Sequence, residues 1–195
     1  MKNASVLIIA LLAVVESFGQ PVIGLQLGSV GKQIKTDVPG TLKKLGEWGV
    51  KELEAGVPTG TEAPEFLTLL KDNGITLIAT GSDFKELETD PQKVADRAKA
   101  LGVKQVICYW IPHTGDVFTI DDAKKGVAVF NRAGEVLKKN GLALGYHAHG
   151  YEFQSYEGSP LFDYLAKNLD PPVCQFSDGC FLDEAEWKRS CGFAE

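Results

Sequence analysis

One pattern governs what this chain can fold into. From about residue 22, a short apolar run, a loop, an amphipathic stretch and a Gly or Asn-Gly stop recur every 25 to 40 residues or so. The apolar runs fall at residues 22–27, 50–53, 75–80, 103–110 and 142–147, and a sixth opens at 174–176. They are nearly continuous rather than alternating, as expected of parallel strands buried on both faces. Between them, Leu42, Leu45 and Trp48, then Phe66, Leu67, Leu69 and Leu70, then Val94, Ala98 and Leu101, then Val127, Phe130, Ala133 and Leu137 follow helical spacing. Asp90 and Pro91 supply a cap and a first-turn proline, and Gly102 a stop. Another helix is expected over 160–168.

Strand–helix alternation of this kind means βαβ units with right-handed crossovers. Two architectures use them, a doubly wound sheet and a (β/α) barrel. Gly24, Gly28 and Gly31 do not make the G-x-G-x-x-G spacing of a dinucleotide fold. Polar residues gather instead at C-terminal strand ends: Gln26, Glu54, Ser82, His113 and the group at 147–152. Barrel active sites are built there. The expectation is an α/β chain with a TIM-type (β/α) barrel, incomplete, with about five βα units plus the start of a sixth strand. A full barrel takes ~250 residues; this chain has 195.

The first residues read as a targeting segment. Lys2 precedes an apolar run over 6–15, and Ser17 and Gly19 suggest cleavage near Gly19–Gln20. Ten or so apolar residues are too few to span a bilayer, which takes ~20, so a removed signal at 1–19 is expected rather than a stable membrane anchor. A buried N-terminal helix is the alternative. A periplasmic or secreted location follows, and that setting permits disulfides. Of Cys108, Cys174, Cys180 and Cys191, the last three crowd into the final 22 residues. Cys108 lies inside an apolar run and reads as core. A net charge of −6 without a basic cluster argues against nucleic acid as a partner.

The segment richest in chemistry is Tyr146-His147-Ala148-His149-Gly150-Tyr151-Glu152-Phe153. Two of three histidines sit two residues apart at a strand end, where i and i+2 share a face. With Glu152 they offer imidazole nitrogen and carboxylate oxygen to a divalent metal, or a carboxylate general base. Two histidines hydrogen-bonded at a strand end account for the spacing equally well.

This segment, with Phe130-Asn131-Arg132-Ala133-Gly134-Glu135 before it, resembles the xylose-isomerase-like family of sugar (phosphate) isomerases and epimerases. Its members commonly read F-N-x-A-G-E, then G-L, then Y-H-N-H-x-F-E-F. Ile23-Gly24-Leu25-Gln26-Leu27-Gly28-Ser29-Val30 is similar to the family's first strand, and Val50-Lys51-Glu52-Leu53-Glu54 to its second. Ala148 stands where the family has Asn, and Gly28 where it has Tyr. The resemblance covers residues 22–176 and implies a divalent metal (Mn, Mg, Co or Zn) at the barrel mouth. A sugar's hydroxyl and carbonyl oxygens would chelate it while a proton leaves the carbon beside the carbonyl. Carried over, Glu152 and His147 are the catalytic candidates and Glu152 and His149 the metal ligands. Glu54, His113 and His149 become contacts to a small carbohydrate. A half-barrel that binds carbohydrate without turnover is the rival reading.

The resemblance breaks after Phe176, where the family continues Q-M-D-V-F-W and this chain reads Ser177-Asp178-Gly179-Cys180. Codons able to encode this stretch, read one nucleotide later, permit the family's version. The tail at 177–195 is therefore expected to be out of frame, with a natural Cys-rich variant as the alternative. On that reading the copy lacks later metal ligands, and its activity stays open. It also leaves open sheet edges, which invite aggregation or an oligomer with another copy.

Overall fold

The computed structural model describes residues 22–170 and 174–176. The expected signal at 1–19 and tail at 177–195 lie outside the described residues.

Six strands form one sheet: β1 (Ile23–Gln26), β2 (Val50–Glu54), β3 (Thr76–Ser82), β4 (Gln105–Cys108), β5 (Ala143–Tyr146) and β6 (Cys174–Phe176). Their spatial order is their chain order, and every neighbouring pair is parallel. A doubly wound sheet must reverse direction at a switch point. No reversal occurs among these strands, so the order is that of a (β/α) barrel wall. Right-handed crossovers between sequential neighbours place the helices on one face and leave the other as the lumen. The expected five units and opening of a sixth are present.

The helices are α1 (Gly31–Thr36), α2 (Val38–Glu47), α3 (Ala63–Asp72), α4 (Phe84–Thr89), α5 (Pro91–Ala100), α6 (Ile120–Lys139) and α7 (Leu161–Asn168). Their starts follow capping chemistry. The Asp37 and Asp90 carboxylates accept from the Gly40 and Lys93 amides, and Thr119 with Asp122 closes a full capping box ahead of α6. Buried side chains make two clusters. One packs α2 and α3 on the first three strands through Leu42, Leu45, Leu53, Phe66 and Leu70. The other packs α4 to α7 on β4 and β5 through Leu87, Val94, Val106, Phe130, Leu137 and Leu144.

Three features depart from the sequence reading. Helices α1 and α4, of six residues each, are additional; so short a helix carries too little periodicity to be read. Trp48, expected on the buried stripe, is 63% exposed. It is the C-cap of α2, past the last helical residue, and no longer follows the helix face. Strand β5 ends at Tyr146, so His147 and His149 stand in the loop beyond it rather than alternating along a strand.

Candidate active site at the C-terminal strand ends

Glu54, the last residue of β2, is buried at 7% exposure. Its Oε1 is enclosed and has no hydrogen-bond partner among the described residues. Burial raises its pKa above the usual glutamate value, opposed in part by the hydroxyl of Tyr109, the neighbour that favours the charged form. Tyr109 follows β4 and reaches across β3 to get there. Its ring lies over Gly81, where a Cβ would come within 2.7 Å of Tyr109 Cε2. Glycine at that strand position is what admits the crossing. Burial and the adjacent Glu54 push the Tyr109 phenol upward, so it stays a hydroxyl and a donor.

Tyr109 also meets His147 edge-on, with ring centroids 5.9 Å apart, and His147 meets His149 at 4.9 Å. Burial and the neighbouring His149 lower the His147 pKa, with Glu152 opposing. His147 is therefore a neutral imidazole at ordinary pH. Glu54, Tyr109 and His147 thus form a line across the ends of β2, β4 and β5. Tyr109 and Trp110 also wall an open cavity of about 520 Å³ at the ends of β3 and β4. A larger groove of about 700 Å³ runs along α1 and α2, away from the strand ends.

Glu152 has a different setting. It is fully buried. Its carboxylate accepts from the His149 amide at 3.1 and 3.2 Å, from the Gly150 amide at 2.7 Å and from the Tyr146 hydroxyl. Tyr146 in turn bonds Tyr151 at 2.8 Å, whose hydroxyl accepts from the Ile111 amide at 2.9 Å. A donor chain therefore runs from the loop after β4 through two phenols into one carboxylate. Gly150, at φ 124°, adopts a backbone that side-chain-bearing residues rarely reach, and it aims its amide at Glu152. A carboxylate that accepts from three donor groups holds this loop in place.

His113 sits in the aromatic cluster that joins the two loops. Its Nδ1 donates to the Ile111 carbonyl at 2.7 Å, and its ring lies 4.4 Å from Trp110 and 4.1 Å from Tyr151, centroid to centroid. Gln154 ties the loops again, accepting from the Phe118 amide at 3.2 Å and donating to the Asp116 carbonyl, a bond closer than usual. His149 is exposed and lies edge-on to Trp110 at 5.9 Å. Cys108 is buried core as expected, its thiol pushed up to about 11 by burial.

Among the described residues, no three His, Cys, Asp or Glu side chains converge to hold a metal ion. Toward the divalent ion implied by the motif they bring the His147–His149 pair alone. That set does not fit a complete metal centre. Tyr109 is the site residue that sequence reading missed. Its signal was indirect, a glycine within β3 level with a phenol just past β4.

The raised Glu54 pKa fixes the sign of a pH effect. A carboxyl harder to ionise when folded stabilises the fold fully below the unfolded pKa, and that contribution is lost as pH rises through the folded one. Urea denaturation of the wild type and Glu54→Gln is expected to show the wild type losing stability relative to the variant above pH 4.5, the ordinary glutamate value. Parallel pH profiles would contradict the burial assigned to Glu54.

No protein-family model matches the chain. No curated protein matches it either. Solved structures do. A sugar phosphate isomerase/epimerase from Parabacteroides distasonis is similar at a TM-score of 0.69 and 25% identity, over 83% of this chain and 66% of that one. A xylose isomerase-like TIM barrel protein from Mycobacterium smegmatis, in complex with magnesium, is similar at 0.59 and 14%, over 82% and 64%. An AP endonuclease of family 2 from Brucella melitensis is similar at 0.59 and 13%, over 80% and 67%. The chain spans about two thirds of the length of each. Its strand order and these likenesses give the chain the fold of the xylose-isomerase-like TIM-barrel proteins.

Proposed function

We propose that the strand-end site serves a sugar isomerase or epimerase reaction, in which a proton is moved at the carbon beside a sugar carbonyl. The observation that carries this reading is the buried, incompletely partnered Glu54 carboxyl, set with Tyr109 and a neutral His147 at the C-terminal ends of parallel strands. A neutral imidazole can take up a proton. His147 is the base in this scheme and Glu54 the substrate contact. His149 and His113 lie at the outer rim, where Trp110 offers an exposed ring. The similar sugar phosphate isomerase/epimerase supports a carbohydrate substrate.

A divalent ion is the cofactor that the motif implies, and it would stabilise the charge that develops when the proton leaves. The magnesium complex of the similar M. smegmatis protein supports it. The described residues supply only the imidazole pair toward such an ion, so the scheme routes no step through it.

Incubation of the full chain with Mg or Mn and D-xylose, D-fructose or D-fructose 6-phosphate in D2O tests the reading. Deuterium is expected to enter the position beside the carbonyl, and His147→Ala should lower that rate by about 100-fold or more. Exposed Trp110, 47% accessible and stacked on His113, favours one rival, a site that binds sugar without turnover. Sugar binding with no deuterium entry would select it.

A further inference from the structure

The unfinished contact between Glu54 and Tyr109 has a chemical meaning. A buried carboxylate oxygen without a partner is costly, and native structures rarely leave one. Here it occurs beside a phenol that remains a donor. Tyr109 stabilises the Glu54 carboxylate, yet no well-formed hydrogen bond closes on Oε1. The ring is held over Gly81 by the lack of a Cβ there, and it walls the cavity at the strand ends. Tyr109 is thus a donor on the cavity wall, and the enclosed Glu54 Oε1 beside it is an acceptor without a partner among the described residues.

We propose that Glu54 and Tyr109 together form a recognition site for one hydroxyl group of the substrate, which accepts from the Tyr109 phenol and donates to Glu54 Oε1. A hydroxyl is the group that does both at one oxygen; a carbonyl or an ether can only accept. Such a site discriminates strongly, because a substrate lacking the hydroxyl leaves two polar groups unpaired. Tyr109 becomes a specificity-determining residue, and Gly81 the position that lets it reach. The inference rests on the carbohydrate reading above and adds to it the group that is read.

Binding of D-xylose and D-fructose to the full chain, measured by ligand-observed NMR, tests it with Glu54→Gln, Tyr109→Phe and the double variant. Circular dichroism and thermal midpoints verify that each is folded. Each single variant is expected to weaken binding about tenfold. The double variant should be little weaker than either single, because one hydroxyl serves both residues. Gly81→Ala, which displaces the ring, should behave like Tyr109→Phe. Unchanged binding in the single variants, or losses that multiply in the double, would overturn the shared-hydroxyl site while leaving the carbohydrate reading intact. Failure of the wild type to bind either sugar would overturn both.

Discussion

Glu152→Ala is expected to destabilise the folded chain by about 3–5 kcal/mol, the largest loss from any one polar side chain in this site. The alanine removes the acceptor that the His149 amide, the Gly150 amide and the Tyr146 hydroxyl all share. The Tyr146 hydroxyl is left without this acceptor inside the core, and the two loop amides lose the group that ties them to it. Gly150 makes matters worse, since its φ of 124° is held by what its amide bonds. Glu152→Gln keeps the shape and one acceptor oxygen but turns an amide group toward backbone donors, and should cost about 1–3 kcal/mol. Urea denaturation of the two variants against wild type gives these values. A loss below about 1 kcal/mol for the alanine variant would contradict the scaffold role.

Phe130→Ala should cost a similar amount, about 3–5 kcal/mol, through a cavity rather than a lost acceptor. Phe130 is fully buried on α6, edge-on to Phe84 of α4 at 5.6 Å and tilted against Tyr146 of β5 at 5.1 Å. It joins two helices to the strand that leads into the histidine loop. The ring it supports is the one whose hydroxyl donates to Glu152. The two losses therefore should not add. With Tyr146 already loosened by the cavity, Glu152→Ala is expected to cost less in the Phe130→Ala background than alone. Strict additivity would show that the phenol network and the helix core are independent.

The fold was largely legible because its signals are local. The apolar runs located the six strands of the parallel sheet, and Asp90 with Pro91 marked the start of α5. The barrel order followed from polar residues at strand ends, and the spatial order of strands bears it out. The site was less legible, for a reason visible in Glu152. Residue type and spacing present it as a free carboxylate next to two histidines. Its actual partners are backbone amides of its own loop and a phenol six residues earlier, and backbone donors leave no mark in a sequence. Glu54 was visible as a polar residue at a strand end, but its burial leaves no mark in residue type or spacing. Tyr109 went unnoticed because reaching Glu54 requires crossing β3, a path open only at Gly81.

We propose a division of labour in which Glu54, with Tyr109 and His147, addresses the substrate, while Glu152 holds the loop that carries the histidines. Deuterium entry beside the carbonyl of the best sugar substrate, measured for Glu54→Gln and Glu152→Gln and expressed per folded molecule, tests it most directly. Glu54→Gln is expected to lose exchange by about tenfold or more without losing stability at neutral pH, while Glu152→Gln loses stability and retains exchange. Exchange lost in Glu152→Gln and retained in Glu54→Gln would contradict it.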